Sequence, residues 1–149
     1  MIIACTFAQQ EGWLELRQQL WPHHSADVLL AEMSTLCSAP ERFGQYLWLS
    51  STAEAQGFVE VALRTDHVNG TKSSPVAFLE GIFVVAAARR QGIARALVAE
   101  AEKWARSHGC REFASDALIH NEDSHALHRA LGFQESQRVV FFRKLVEGA

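Results

Sequence analysis

Between Phe78 and Gly109 the chain reads FLEGIFVVAAARRQGIARALVAEAEKWARSHG. An apolar run, Phe78 to Val85, is interrupted only by Glu80 and Gly81 and passes through three alanines and two arginines to Gly92. A run so continuously apolar predicts a central strand with both faces covered rather than an edge. Beyond the glycine, Ala94, Leu97, Val98, Ala101, Trp104 and Ala105 recur at helical spacing on one face, and Gly109 supplies the stop. A buried strand, a glycine turn and an amphipathic helix in direct succession commit the chain to a sheet with a helix laid on it.

The flanking segments extend this pattern. IIACTF predicts a first strand. GWLELRQQLW, with Trp13, Leu14, Leu16, Arg17, Leu20 and Trp21, predicts an amphipathic helix ended by Pro22. A second helix follows, with Ser25 as N-cap, a stripe of Val28, Leu29, Met33 and Leu36, and Pro40 as terminator. QYLWLSS and GFVEVALRTDHV read as strands, and Asn69-Gly70 marks a turn before VAFLEGIFVV. REFASDAL reads as a strand, and NEDSHALHRALG as a helix with Asn121 as N-cap, Ala126, Leu127, Ala130 and Leu131 inward, and Gly132 as stop. FQESQ and RVVFFRKLV read as a closing antiparallel pair. The expected architecture is α/β: a mixed sheet with helices on its faces, in one domain spanning residues 1–149.

Bulk properties exclude several classes. The net charge of −3 gives no general attraction to nucleic acid or anionic membrane, and no basic stripe is present. No segment approaches the ~18 apolar residues of a membrane span. The N-terminus lacks the basic and long apolar regions of a signal peptide, so the cytoplasm is the expected compartment. Cys5, Cys37 and Cys110 are odd in number and widely spaced, without a C-x-x-C, which predicts buried thiols rather than disulfides or a metal site.

Two features carry chemistry. The first N–H groups of a helix have no partner within it, and the helix dipole adds partial positive charge there. Gly92 lets an anion approach the backbone, and Arg89 and Arg90 add charge. Alone, Arg-x-x-Gly-x-Ala would read as a turn with solvated arginines. Between a strand and a strong helix it reads as a pyrophosphate site, and it matches neither a Walker A loop nor G-x-G-x-x-G. The second feature is Glu80. A carboxylate in an apolar strand is costly unless paired or functional. It could accept a proton, bind an ammonium group or have a structural partner.

VVAAARRQGIARALVAEAEKWA resembles the acyl-CoA-binding motif of the GNAT superfamily of N-acetyltransferases, Arg/Gln-x-x-Gly-x-Gly/Ala, with Arg89, Gly92 and Ala94 in place. NEDSHALHRALGF resembles the superfamily's next motif, ending in Leu-Gly-Phe. More specifically, QLWPHH, VNGTKSSPVAFLEGIFV, GCREFASDA and RVVFFRK are together similar to the bacterial aminoglycoside 6′-N-acetyltransferases.

That resemblance implies acetyl-CoA as co-substrate, an aminoglycoside as acceptor, no metal, and a homodimer with RVVFFRKLV as a candidate dimer edge. The implied acetyl-CoA contacts are Ile82, Phe83 and Val84 along the strand, Arg89, Arg90, Gln91, Gly92, Ile93, Ala94 and Arg95 at the helix front, and Asn121. Glu80 is implied as the catalytic base, directly or through water, or as an ammonium ligand. Asp116 is implied as a second ammonium ligand; the alternative is a strand-end cap. Trp21 is implied as a wall against a sugar ring, or is a helix-end core aromatic. His24 is implied as a polar contact, with His23 competing for the register. His67 stands where relatives can carry Tyr, and Gln137 where an acid is common. His128 stands where many superfamily members carry a Tyr general acid, and it is not assigned that role. The competing functions are acetylation of another amine (a polyamine, a small metabolite or a protein N-terminus) and a silent acyl-CoA-binding module.

Overall fold

Residues 1–148 are described in the computed structural model, and they fall into two compact units. The first, Met1–Asp116, holds β1 (Ile2–Ala4), α1 (Trp13–Leu20), α2 (Ala26–Ser38), β2 (Phe43–Leu49), β3 (Ala55–Arg64), β4 (Val76–Val84), a 3-10 turn at Ala86–Ala88, α3 (Ile93–Ser107) and β5 (Phe113–Ala114). The strands lie in chain order, β1-β2-β3-β4-β5. The first three pairings are antiparallel, and β4 pairs with β5 in parallel. This is the mixed sheet expected from the sequence, with β4 inside it.

Alternation along the strands sends the helices to opposite faces. A Cβ added at Gly57 would meet Ile93 and Leu97 of α3, whereas the next residue, Phe58, belongs to a core with Trp13 and Leu16 of α1 and Met33 of α2. The face of α3 read from the sequence is the buried one: Leu97, Val98, Ala101, Trp104 and Ala105 all lie inside. Pro22 and Pro40 fall just beyond α1 and α2, and the Ser25 hydroxyl accepts from the Val28 N–H at 3.2 Å as the N-cap of α2.

Several segments are shorter than the sequence implies. The first strand ends at Ala4. β3 ends at Arg64 rather than continuing to Val68, and polar groups of residues 65–75 find partners outside the ladder: Ser74 Oγ donates to the Thr65 carbonyl at 2.9 Å, and the Lys72 N–H donates to Glu112 at 2.8 Å. The Ser73 hydroxyl joins it on Glu112, and these bonds hold the Glu112 carboxyl below the usual range. β5 covers two residues, not eight. β4 is buried from Val76 to Leu79, but from Glu80 to Phe83 it is partly exposed, so the expectation of cover on both faces holds for its first half alone.

The second unit, from Ala117 onward, contains α4 (Glu122–Ala130). Asn121 Oδ1 accepts from the Ser124 N–H at 3.1 Å, the expected cap. At the other end Gly132 takes φ +93°, and the Phe133 N–H reaches back to the His128 carbonyl at 2.9 Å. Two expectations fail here. No residue of α4 is buried, Leu127 included, and residues 133–148 form no strand, so the closing antiparallel pair is absent among the described residues. A helix face needs a facing layer and a strand needs an edge, and this unit alone supplies neither.

Candidate active site

The carboxylate in the apolar strand is explained by the β3–β4 register. Glu60 pairs with Gly81 and Val61 with Leu79, so Glu80 is the extra residue of a β-bulge. A bulge re-aims the side chain it carries. The Glu80 side chain is 36% exposed, and its Oε1 accepts from Arg64 Nη2 at 2.9 Å. The cost of burying a charge therefore does not arise.

Trp21 lies against the next residue. A Cβ at Gly81 would sit 2.8 Å from Trp21 Cη2 and 2.9 Å from Cζ2, so the absence of a side chain is what lets the indole rest on the strand. Trp21 is half-buried, its edge on Phe58 with centroids 5.9 Å apart. Trp21 therefore packs on the core, as the helix-end reading expects, and covers the strand at Gly81, the residue after Glu80.

Beneath this corner lies an ion cluster. Arg17, 3% exposed, grips Glu60 with two nitrogens at 2.8 and 3.1 Å, and its third donates at 3.1 Å both to the Leu29 carbonyl and to Glu32. The Trp13 indole N–H donates to Glu60 at 3.0 Å, and the Arg17 guanidinium stands 4.8 Å from the Trp21 ring centroid. Burial alone would lower the Arg17 pKa; the bonds and charges of Glu60, then Glu32, outweigh it and leave the pKa raised. The cluster ties α1 to the β3 residue paired with Gly81.

Beyond Phe78, β4 has a strand on one side only. Its pairing with β5 stops at Ala77↔Phe113 and Phe78↔Ala114, while on the β3 side it continues to Gly57↔Val84. Ile82, Phe83 and Val84 therefore present a backbone edge without a neighbouring strand among the described residues. The strand leads to the front of α3. Arg89 Nε donates to the Val84 carbonyl at 2.9 Å, Arg90 takes φ +64°, and Gly92 is the N-cap at φ +79°. Gly92 brings no side chain to the helix front, and a Cβ there would meet nothing within 4 Å. Arg89, Arg90, Gln91, Gly92 and Arg95 are exposed. Ile93 is buried in the core. An extended arm lying along the β4 edge and an anionic group at the front of α3 fit this geometry.

A family model described as "Acetyltransferase (GNAT) family" matches residues 10–133. The chain belongs to the GNAT acetyltransferase family. Among its GNAT relatives, an aminoglycoside N(6′)-acetyltransferase type 1 of Acinetobacter baumannii is 49% identical, covering 96% of this chain and 97% of the relative. One of the same name from Serratia marcescens is 47% identical over 97% of this chain and 98% of its own. Among solved structures, AAC(6′)-Ih from A. baumannii aligns with TM-score 0.93 and 47% identity over 98% of both chains. AAC(6′)-Iy in complex with the bisubstrate analog CoA-S-monomethyl-acetylneamine aligns with TM-score 0.91 and 40% identity, also over 98% of both. The GNAT fold expected from the Gly92 motif is thus the fold observed.

The other residues carried over from the GNAT resemblance are distributed as follows. Asp116 is exposed and lies two residues past the last β5 pair, as Glu80 lies two past the last β4 pair. His24 is exposed in the turn after α1, its N–H donating to the Trp21 carbonyl at 3.2 Å, and His67 is exposed in the loop after β3. Asn121 and Gln137 belong to the second unit, where the Asn121 carboxamide oxygen is committed to the cap of α4. His128 Nδ1 donates to the Ser124 carbonyl at 2.7 Å and its ring meets Phe133 at 5.3 Å, a local staple of α4.

Burial raises all three thiols above their ordinary value, with Glu60 adding to the shift at Cys5 and Cys37. Among the described residues no cluster of three His, Cys, Asp or Glu side chains could hold a metal, and no helix is long and apolar enough to cross a membrane. Sequence reasoning missed Arg64 and the Arg17–Glu60 cluster. Glu60 in GFVEVAL carried the same signal as Glu80, a carboxylate in an apolar strand.

Proposed function

We propose that this chain transfers an acetyl group from acetyl-CoA to the 6′-amino group of aminoglycosides of the kanamycin and tobramycin type, and so confers resistance. The observation that carries this reading is a carboxylate raised on a bulge beside the open edge of β4, in a GNAT chain aligned nearly end to end with aminoglycoside N(6′)-acetyltransferases. The fit for acetyl-CoA rests on that edge and on the glycine-capped front of α3; when bound, it supplies an activated acyl group as a thioester.

The chain's own part is binding, aim and proton removal. The backbone from Arg90 to Arg95 holds a pyrophosphate, with Arg89 and Gln91 beside it, and Ile82 to Val84 align the arm. A backbone N–H near Val84 polarises the acyl carbonyl. Glu80 binds the protonated 6′-ammonium and accepts its proton, directly or through water. Asp116 takes a second ammonium in a charge-assisted hydrogen bond. Trp21 walls the sugar ring, and His24, His67 and Gln137 contribute polar contacts. Asn121 adds a contact to acetyl-CoA. The raised thiol pKa values support direct transfer over an acetyl-cysteine route. We read residues 1–149 as one catalytic domain, since the family match runs unbroken across the boundary of the two units. We further propose a cytoplasmic homodimer whose contact includes residues 139–146, where Val140, Phe141 and Phe142 are 76–91% exposed, and no nucleic-acid or membrane partner.

Thiol release from acetyl-CoA with kanamycin, spermine and a peptide as acceptors tests the reading. The expected result is a kcat/KM highest for kanamycin, and protection of a susceptible host that is lost in Asp116→Asn. Preference for spermine or the peptide rejects the acceptor class. Gly81→Ala pushes the Trp21 ring from its seat; KM for kanamycin is expected to rise about tenfold or more, with KM for acetyl-CoA unmoved. An unchanged kanamycin KM would remove Trp21 from the acceptor site.

A further inference from the structure

One charged side chain at the bulge has no task in the mechanism above. Arg64 is the last residue of β3 and pairs across the ladder with Val76. Its guanidinium reaches Glu80 through a single nitrogen, Nη2, at 2.9 Å, and its Cζ lies 3.6 Å from the centroid of the Phe78 ring. The two side chains are 43% and 36% exposed. We propose that Arg64 is the resident counter-ion of Glu80: it occupies the place that the acceptor's ammonium takes, and its displacement sets the affinity for the cationic substrate. This rests on the reading of Glu80 as the acceptor-binding carboxylate.

The contrast with Arg17 and Glu60 carries the argument. That pair has the same two charges, but its side chains are 4% exposed, it is joined by two nitrogens, and the remaining nitrogen of Arg17 is held by Leu29 and Glu32. Such a pair cannot be exchanged, because either partner would be left buried and charged. Arg64 and Glu80 are joined once and half in water, where an ion pair is weak and readily given up. Arg64 also has somewhere to stay. The Phe78 face attracts a guanidinium whether or not Glu80 is engaged, so Arg64 keeps one favourable contact when an ammonium replaces it. Until then the pair holds Glu80 in place on the bulge. The exchange costs the incoming cation part of its binding energy, and a retained guanidinium beside the site repels it further.

The test uses the full chain and kanamycin, with acetyl-CoA saturating. Arg64→Gln is expected to lower KM for kanamycin roughly two- to fivefold, the size of an exposed ion pair. kcat and KM for acetyl-CoA stay near the wild-type values, and Arg64→Lys behaves like wild type. High salt shrinks the difference. In calorimetric titrations with kanamycin in the presence of coenzyme A, Arg64→Gln tightens binding more in the wild-type background than in Glu80→Gln, since the exchange part of the gain runs through that carboxylate and only the direct repulsion remains without it. An unchanged or raised KM in Arg64→Gln overturns the proposal. So does a lowered kcat at constant KM, which would make Arg64 an aid to positioning Glu80. Wild-type kinetics in Glu80→Gln would overturn the reading of Glu80, and this inference with it; impaired kinetics there alongside an unmoved KM in Arg64→Gln confines the failure to the counter-ion.

Discussion

Glu80→Gln is expected to lower kcat for kanamycin by about 10²- to 10⁴-fold, the usual contribution of a positioned base, while binding of coenzyme A is unchanged. The cause is local. Glu80 is the extra residue of the bulge, beside the strand edge and not on the helix front, so the amide keeps the backbone that would hold the acyl donor and removes only the acceptor of the proton. Alkaline pH separates the two roles of the carboxylate. If its task is to take the proton, an acceptor already deprotonated by the solvent reacts without help, and the variant regains activity with rising pH more steeply than the wild type. If its task is to hold the ammonium, the loss appears in KM and alkaline pH does not restore it. A kcat and a kanamycin KM both within a few-fold of wild type at neutral pH would remove Glu80 from the mechanism.

The second large effect concerns stability. Glu60→Gln leaves the guanidinium of Arg17 buried with a neutral amide in place of the carboxylate and with the partly exposed Glu32 as its remaining charged partner. Removing one member of a buried pair costs about 3–5 kcal/mol, and urea unfolding should shift to correspondingly lower concentration. Replacing both, Arg17→Met with Glu60→Leu, removes the stranded charge and is expected to recover most of the loss. A single variant as stable as wild type would show that the cluster contributes little. Trp13 and Trp21 both touch the cluster, so their fluorescence reports whether the native state is disturbed before it unfolds.

Glu60 and Glu80 mark what could be read in advance. Each is a carboxylate in an apolar strand, and local sequence treats them alike. One is inside, gripped by Arg17 forty-three positions away; the other is turned outward by a bulge. Neither a distant partner nor a register slip leaves a trace in neighbouring residues. The helices were legible because their determinants are local: Ser25 and Asn121 cap where expected, and the apolar face of α3 is the buried one. The motif at Gly92 was legible for the same reason. RVVFFRKLV reads as a paired strand but forms none among the described residues, because its composition states that it needs cover and not where cover comes from. Arg17 appeared within the apolar stripe of α1, yet its role depended on α2 and β3 meeting there.

Ile82 to Val84 lie on a strand edge that no neighbouring strand covers among the described residues, and peptide groups are common to every residue type. Under the proposed function, selection by new antibiotics could rewrite Trp21, His67 or Asp116 one codon at a time, but it would have far less purchase on a main chain. A compound that competes along that edge would meet fewer routes of escape than one that imitates the drug.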